Sequence, residues 1–449
     1  MPTKPEPRLN AAGAADEEVL VSVRHLLTYY AVRGSFLDRL AGREAGTVKA
    51  VDGVSFDLRR GEVLGVVGES GSGKTTLGRT LLGLVPATAG SVVFEGREVV
   101  GLAESTLRSL RRRMQIVFQD PHAALNPAMT IEQAVGHPLK IHALAKGRDD
   151  IRRRVAEALI RVGLAPPEQF MEKYPTDLSG GQKQRAVIAR AIILEPVLLV
   201  ADEPVSMLDM SVRSKLIELM IELKQSLHLT YLYITHDLAT AKFFCDRIAI
   251  MYLGRIVEIG PSRAIYEDPM HPYTKALLRA IPDPDPSRGL PRDLPRGEVP
   301  DAARPPLGCS FHPRCPSAFA VCGWEARDLT ELLEARWARM TEADQEAERE
   351  MIGAPAEPAG PGASLSVPAA GGAHGSELLA LFERIRAADP AEPFWSGVRA
   401  MRARPGHVEI EWHVPREPRL LSVGSVEVAC HLYDDALSGQ LPPPRRETD

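Results

Sequence analysis

Residues Gly68-Glu69-Ser70-Gly71-Ser72-Gly73-Lys74-Thr75 match G-x-x-x-x-G-K-[ST] at every fixed position, and no other stretch restricts the fold of this chain as tightly. The apolar run Val63-Leu64-Gly65-Val66-Val67 precedes them, and Thr76-Leu77-Gly78-Arg79-Thr80-Leu81-Leu82 follows. The spacing predicts a buried strand, a phosphate-binding loop and a helix, in that order. Glycines let the main chain approach an anion. Successive N–H groups then point into the concavity, joined by the unpaired N–H groups and dipole of the new helix. In such a loop Lys74 reaches the β- and γ-phosphates, the Thr75 hydroxyl ligates Mg²⁺, and Thr76 completes the nucleotide-binding set. A Gly/Ser-rich turn that matches by chance is the plainer alternative; the strand and helix on either side argue against it.

Composition limits the function classes. The 449 residues are 44% hydrophobic and 25% charged, enough for one large or two to three ordinary domains with real cores. A net charge of −5 leaves no basic footprint for nucleic acid. The most apolar long stretch, 186–205, contains Arg190, Glu195, Asp202 and Glu203, so no segment reads as a membrane span. Residues 1–18 are polar, lack the apolar region of a signal peptide and are expected to be disordered. Five cysteines in a chain this long do not suggest a disulfide scaffold. The expectation is a soluble, cytoplasmic protein.

Val19-Leu20-Val21-Ser22-Val23, continued by Leu27-Thr28-Tyr29-Tyr30, and then residues 48–58 alternate with period two, as antiparallel strands do; residues 31–47 between them read as a loop. An aromatic here suits a flat ligand such as adenine and equally suits packing within a sheet. Ser91-Val92-Val93-Phe94 and Met114-Gln115-Ile116-Val117-Phe118-Gln119 read as further strands, the second stopped by Asp120-Pro121. Residues 122–177 have helical periodicity, and their Arg/Asp run at 147–154 reads as a solvated helix face. Leu178-Ser179-Gly180-Gly181-Gln182 opens a helix over 183–194 and offers a second anion site at its N-terminus. Val197-Leu198-Leu199-Val200-Ala201-Asp202-Glu203 is an apolar strand ending on paired carboxylates, where a phosphate-loop NTPase places a Mg²⁺ partner and a water-activating base. Alone, His236 would be read as structural. Its place at the end of Tyr231-Leu232-Tyr233-Ile234-Thr235 matches that of Gln119 and Asp202, and ligands bind outside the carboxyl ends of parallel strands.

In this order, the motifs resemble those of the nucleotide-binding subunit of an ATP-binding cassette transporter, over about residues 19–282. The resemblance implies an α/β phosphate-loop NTPase cassette with an antiparallel β subdomain, an inserted helical subdomain at about 120–178, and an irregular C-terminal extension. It implies that Asp202 holds Mg²⁺ with Thr75 and Gln119, and that Gln119 couples the γ-phosphate to the helical subdomain. Glu203 would be the general base, His236 would fix water and γ-phosphate, and Tyr30 would stack on adenine. Asp209 would face a second cassette, and Ser179, Gly181 and Gln182 would close on ATP bound by that cassette. The partners implied are an identical or sister ATPase subunit, two membrane permease subunits and, indirectly, an extracytoplasmic substrate-binding protein, with no nucleic acid. The chain would sit peripherally on the cytoplasmic face of the membrane. Met207 departs from the alanine or serine usual before Leu208-Asp209. Phe118-Gln119-Asp120-Pro121-His122-Ala123-Ala124-Leu125-Asn126-Pro127 and His271-Pro272-Tyr273-Thr274-Lys275-Ala276-Leu277-Leu278 are similar to stretches of the dipeptide and oligopeptide importer ATPases. That subfamily also serves nickel and some glycans or opines, so the solute stays open. A soluble cassette ATPase of translation or DNA repair is the alternative; it would carry a second cassette or a long heptad coiled coil, and neither is visible. Intact Lys74, Asp202, Glu203 and His236 argue against a purely regulatory cassette.

The tail begins with a proline-rich linker at 283–306, within an extension taken as 283–330. Cys309, Cys315 and Cys322 follow, with Cys430 in a closing segment at 417–449. An insertion at 331–416 separates them. Residues 354–375 in it are Ala/Pro/Gly-rich and expected to be disordered, 376–386 have helical spacing, and 407–412 alternate like a strand. Four thiolates suit either Zn²⁺ or an iron–sulfur cluster. Spacing wider than the usual zinc pattern favours [4Fe–4S], as does resemblance to subfamily members that carry such a cluster. Free buried cysteines are the plainer alternative.

Overall fold

The computed structural model describes residues 18–31, 46–281, 297–353 and 364–440. The expected disorder at residues 1–17 and 354–363, and most of the proline-rich linker, fall outside the described residues. In chain order the strands among the described residues are β1 (Val19–Ala31), β2 (Thr47–Arg59), β3 (Val63–Val67), β4 (Ala89–Phe94), β5 (Arg97–Glu98), β6 (Met114–Val117), β7 (Leu198–Asp202), β8 (Thr230–Thr235), β9 (Arg247–Tyr252), β10 (Arg255–Pro261), β11 (Leu365–Pro368), β12 (Val398–Arg404), β13 (His407–Trp412), β14 (Leu421–Val423) and β15 (Val426–Val428).

They form three sheets. The first is antiparallel, in the order β2-β1-β4-β5. The second has the order β14-β15-β10-β9-β3-β8-β7-β6, with β9, β3, β8, β7 and β6 parallel to one another. Every residue of β3, β7 and β8 is buried, as befits parallel strands covered on both faces. Each large apolar side chain enclosed this way contributes ~1.5–3 kcal/mol, so these three strands anchor the domain. Val21, Val23, Phe56 and Leu58 of the antiparallel sheet share one core with Leu64 and Val66 of β3 and with Leu77 and Leu81. Another core joins Val63, Val67, Tyr231 and Tyr233 to the helices Ile131–Ile141, Arg148–Arg161 and Gly180–Ile192. Cys245 is a core cysteine: a Cβ on Gly65 would lie 2.7 Å from its sulfur.

Some details differ from the sequence reading. The segment expected at 19–30 is strand β1, and the structure adds several register shifts against β2 that the alternation did not show. The Arg/Asp run, by contrast, is the exposed helix face that was expected, with Arg153 paired to Asp150 and Glu157. The C-terminal extension contains regular elements and completes the core sheet, because β15 pairs antiparallel with β10 through Glu258 and Val428. Residues 365–368, read as part of a disordered stretch, form β11, with Leu365 and Val367 fully buried against β13. Two apolar residues are too few to register as a period. This third sheet, ordered β11-β13-β12, and the helix Gly375–Ala388 pack around Phe382, Phe394, Trp395 and Trp412. Phe319, Cys322 and Trp324, from before the insertion, belong to the same core.

Candidate nucleotide site and thiol cavity

The phosphate loop connects β3 to the helix Lys74–Leu81, and its shape depends on two glycines. A Cβ on Gly68 would lie 2.1 Å from the Met251 carbonyl oxygen. Gly73 has φ of 99° and a Cβ there would lie 1.9 Å from the Ala50 oxygen. Lys74 is buried and its Nζ donates to the carbonyls of Gly68 and Glu69, both at 2.8 Å, and to Ser72 Oγ at 3.3 Å. Burial pushes the Lys74 ammonium down, while Glu203, Asp202 and Glu69 hold it up. A polyphosphate in this loop would offer the ammonium stronger acceptors than those carbonyls.

The strand ends supply the rest. The Thr75 hydroxyl donates to Asp202 Oδ1 at 2.9 Å, and burial pushes the Asp202 carboxyl up. A buried carboxylate beside a hydroxyl, facing a phosphate loop, is a donor set that fits Mg²⁺. Gln119 Nε2 donates to Glu203 Oε2 at 2.9 Å, and His236 Nδ1 lies 3.1 Å from Glu203 Oε1. Glu203 has φ of 47°, an uncommon conformation held by its own N–H donating to the Ile234 carbonyl at 2.8 Å. Loop residues Gly68, Glu69, Ser70, Gly71, Gly73, Lys74 and Thr75, together with Thr76, Gln119, Glu203 and His236, line one cleft of about 670 Å³. A larger groove of about 1440 Å³ lies between the β1–β2 edge and the C-terminal strands. Its Arg255 is already paired with Asp52 and Glu417, and none of the phosphate-loop residues line it.

Other expected site residues do not line this cleft. Tyr30 is exposed near the end of β1, opposite Val48, which does line it. Ser179 caps the helix Gly180–Ile192 in a reciprocal box with Gln182 and is exposed, as are Asp209 and its neighbours Met207 and Met210. Sequence reasoning missed Leu277, which lines the cleft, and Tyr273, whose hydroxyl accepts the Glu69 N–H at 3.0 Å. It also missed Arg314, whose guanidinium holds the Glu69 carboxylate at 2.9 and 3.2 Å. The one signal the sequence offers for them is the His271-to-Leu278 stretch, which points to kinship and not to a contact with the loop.

Cys309, Cys315, Cys322 and Cys430 line one small cavity with His271, His312 and His431. Burial pushes all four thiols up, and for Cys315 the other three add to the effect. His271 is fully enclosed; its Nδ1 accepts the Tyr273 N–H at 3.0 Å, which leaves Nε2 as the protonated nitrogen, and Nε2 has no partner. Among the described residues no three His, Cys, Asp or Glu side chains are grouped to hold a single metal ion.

A phosphate loop at the carboxyl end of β3, flanked by strand-end carboxylates, defines an ATPase, and comparison with known proteins places it further. Residues 51–206 match the ABC transporter family, and residues 257–322 match the oligopeptide/dipeptide transporter C-terminal region. The chain is 46% identical over 316 residues to a Brucella ovis protein named for peptide import, covering 70% of this chain and 95% of that one. It is 44% identical over 312 residues to the oligopeptide transport ATP-binding protein AppF of Bacillus subtilis, covering 69% of this chain and 93% of AppF. Identity to OppF of Salmonella typhimurium, also an oligopeptide transport ATP-binding protein, is 46% over 278 residues, covering 62% of this chain and 83% of OppF. The chain belongs to the ATP-binding subunits of the oligopeptide/dipeptide branch of the ABC transporter family. These relatives do not favour a soluble ATPase of translation or repair.

Proposed function

We propose that the chain is the ATP-hydrolysing subunit of a membrane importer of peptides, or of a related small solute, acting as one of a pair of cassettes. The convergence of Lys74, Thr75, Gln119, Glu203 and His236 on one cleft, with buried Asp202 bonded to the Thr75 hydroxyl behind it, carries this reading. Lys74 leaves the Gly68 and Glu69 carbonyls for the β- and γ-phosphates, while the loop amides from Gly68 to Thr76 cradle them. Thr75, Asp202 and Gln119 would hold Mg²⁺, which neutralises phosphate charge. Glu203 takes the proton of the attacking water, and His236 fixes that water against the γ-phosphate. Because Gln119 is bonded to Glu203 and leads into the helical subdomain, movement of that subdomain repositions the base. Tyr30 would stack on adenine. Ser179, Gly181, Gln182 and Asp209 would serve the site of the second cassette, a role supported by their distance from this chain's own cleft and by exposed Met207 and Met210 beside them. Among the described residues no helix is long and apolar enough to cross a membrane, which supports peripheral docking on two permease subunits at the cytoplasmic face. Reconstitution with those subunits and an extracytoplasmic solute-binding protein in proteoliposomes should give ATP-dependent uptake of labelled peptide. Uptake of nickel in place of peptide, with the ATPase intact, would reject the peptide assignment.

We also propose that Cys309, Cys315, Cys322 and Cys430 hold a [4Fe–4S] cluster. Around zinc, with Zn–S of about 2.3 Å, four sulfurs would lie about 3.8 Å apart. The four thiols line one cavity, and four thiolates are the donor set such a cluster takes. The unpartnered Nε2 of His271 supports an acceptor in that cavity. When bound, such a cluster supplies a rigid structural or redox-responsive centre; the four thiols fix the fold of the extension around it. Anaerobic purification should give iron and absorbance near ~400 nm, both lost in Cys315→Ser. Stoichiometric zinc in colourless protein, or no metal at all, would reject the cluster.

A further inference from the structure

We propose that Arg314 is a positioning residue for ATP binding: from the C-terminal extension it neutralises and orients Glu69 at the entry of the phosphate loop. Arg314 ends the turn His312–Arg314, directly before Cys315 and 245 residues from Glu69 in sequence. Its Nη1 donates to Glu69 Oε2 at 2.9 Å and its Nη2 to Oε1 at 3.2 Å, a two-point grip on one carboxylate. Its guanidinium carbon lies 5.9 Å from the ring centroids of both Tyr252 and Phe311, and its side chain is only 9% exposed. The packing therefore leaves the charge little room to turn elsewhere.

Glu69 is held at every polar group. Its N–H donates to Tyr273 Oη, its carbonyl accepts from Lys74, and its carboxylate is taken by Arg314. A carboxylate in the second position of a phosphate loop is otherwise a liability, since a polyphosphate brings several negative charges to the same concavity. Pairing with a buried guanidinium cancels that repulsion and keeps the carboxylate out of the anion's place. Arg314 lies between Cys309 and Cys315 in sequence, so the fold around the thiol cavity sets the position of the guanidinium. Nucleotide affinity is then coupled to the order of the extension, and by linkage nucleotide binding stabilises the extension in return.

The inference rests on ATP occupying this loop, and the experiment separates the two claims. Steady-state ATPase assays on the full chain compare wild type, Arg314→Ala, Glu69→Gln and the double variant. Arg314→Ala should raise KM for Mg-ATP about tenfold, or ~1.4 kcal/mol, with kcat changed much less. Adding Glu69→Gln should bring KM back to near the wild-type value, because the orphaned charge is gone. A merely structural role for Arg314 would leave the double variant as impaired as the single one, and that result overturns the proposal, as does an unchanged KM in Arg314→Ala. Arg314→Gln, which keeps most of the side-chain volume, gives the same comparison if the alanine variant does not fold. Lys74→Ala measured alongside tests the loop itself: an unchanged KM there would defeat the site and not Arg314 alone.

Discussion

Glu203→Gln separates nucleotide binding from chemistry. The Glu203 carboxylate is 15% exposed, with Oε2 accepting from Gln119 and Oε1 beside His236. Glutamine has nearly the same shape: its amide oxygen keeps one of these contacts, and Gln119 can turn its own amide to accept from the new NH₂. At most one hydrogen bond to a charged group is lost, ~1.5–3 kcal/mol, and it is a bond between protein side chains. Contacts to the phosphates through Lys74 and the loop amides are untouched, and one negative charge near the γ-phosphate is removed. Affinity for Mg-ATP should therefore stay level or tighten. The chemical step loses its base, worth about 10²–10⁴ in rate, or about 2.7–5.4 kcal/mol of barrier at 1.36 kcal/mol per decade. Single-turnover phosphate release with protein in excess measures the second quantity, and equilibrium binding of a fluorescent ATP analogue the first. Without turnover, Mg-ATP should also hold two cassettes together, visible as a dimer on gel filtration, alone or with a sister subunit. Hydrolysis within about tenfold of wild type, well short of the loss expected for a base, would refute the assignment of Glu203.

Other perturbations test neighbouring links. Lys74→Ala removes charge-assisted contacts worth about 1.5–3 kcal/mol each, so calorimetry should show ATP affinity reduced at least about tenfold; an unchanged Kd would contradict the phosphate role. Burial raises the Asp202 carboxyl, so its contribution to stability is present below the unfolded-state value, about 3.9, and is lost as pH rises through the folded-state one. Asp202→Asn should therefore stabilise the nucleotide-free protein increasingly from acid to neutral pH while abolishing stabilisation by Mg²⁺ with nucleotide; a melting-temperature difference that does not grow with pH would count against this. Exposed Asn126 and Ala128 and fully buried Ile131 should part company. The exposed pair lies in the helical subdomain after Gln119, the part proposed to dock on the permease subunits, so introducing a glutamate at either position should uncouple hydrolysis from transport with nucleotide affinity intact, whereas Ile131→Ala should lower stability by ~2–5 kcal/mol; equal loss of fold in both would count against docking there.

Most of the residues lining the candidate cleft were legible in the sequence because each part is a local pattern. Glycine spacing announces the phosphate loop, and apolar runs ending in Gln119, Asp202 and His236 announce strand ends on one edge. The Ser179–Gln182 capping box likewise lies within four residues. What was not legible depends on pairing between distant segments. β15 reaches β10 across the whole insertion, and Arg314 reaches Glu69 across 245 residues; neither partner has a composition that names the other. The insertion was hard to read for a related reason: its short strands carry two or three inward side chains each, and the core they build is shared with Phe319, Cys322 and Trp324 upstream. That sharing explains how the family's extension tolerates so long an insertion between Cys322 and Cys430. Closing a longer loop costs only about 0.6 kcal/mol per doubling of length, whereas burying the ring of Phe394 against Trp324, with Trp395 and Trp412 packed edge-on to Phe394, returns several times that. The insertion therefore holds the segment around Cys322 in place, and with it the surroundings of the cysteine pair that flanks Arg314. A chain lacking residues 331–416 should keep its cassette fold while losing order around the thiol cavity, which limited proteolysis near Arg314 would reveal.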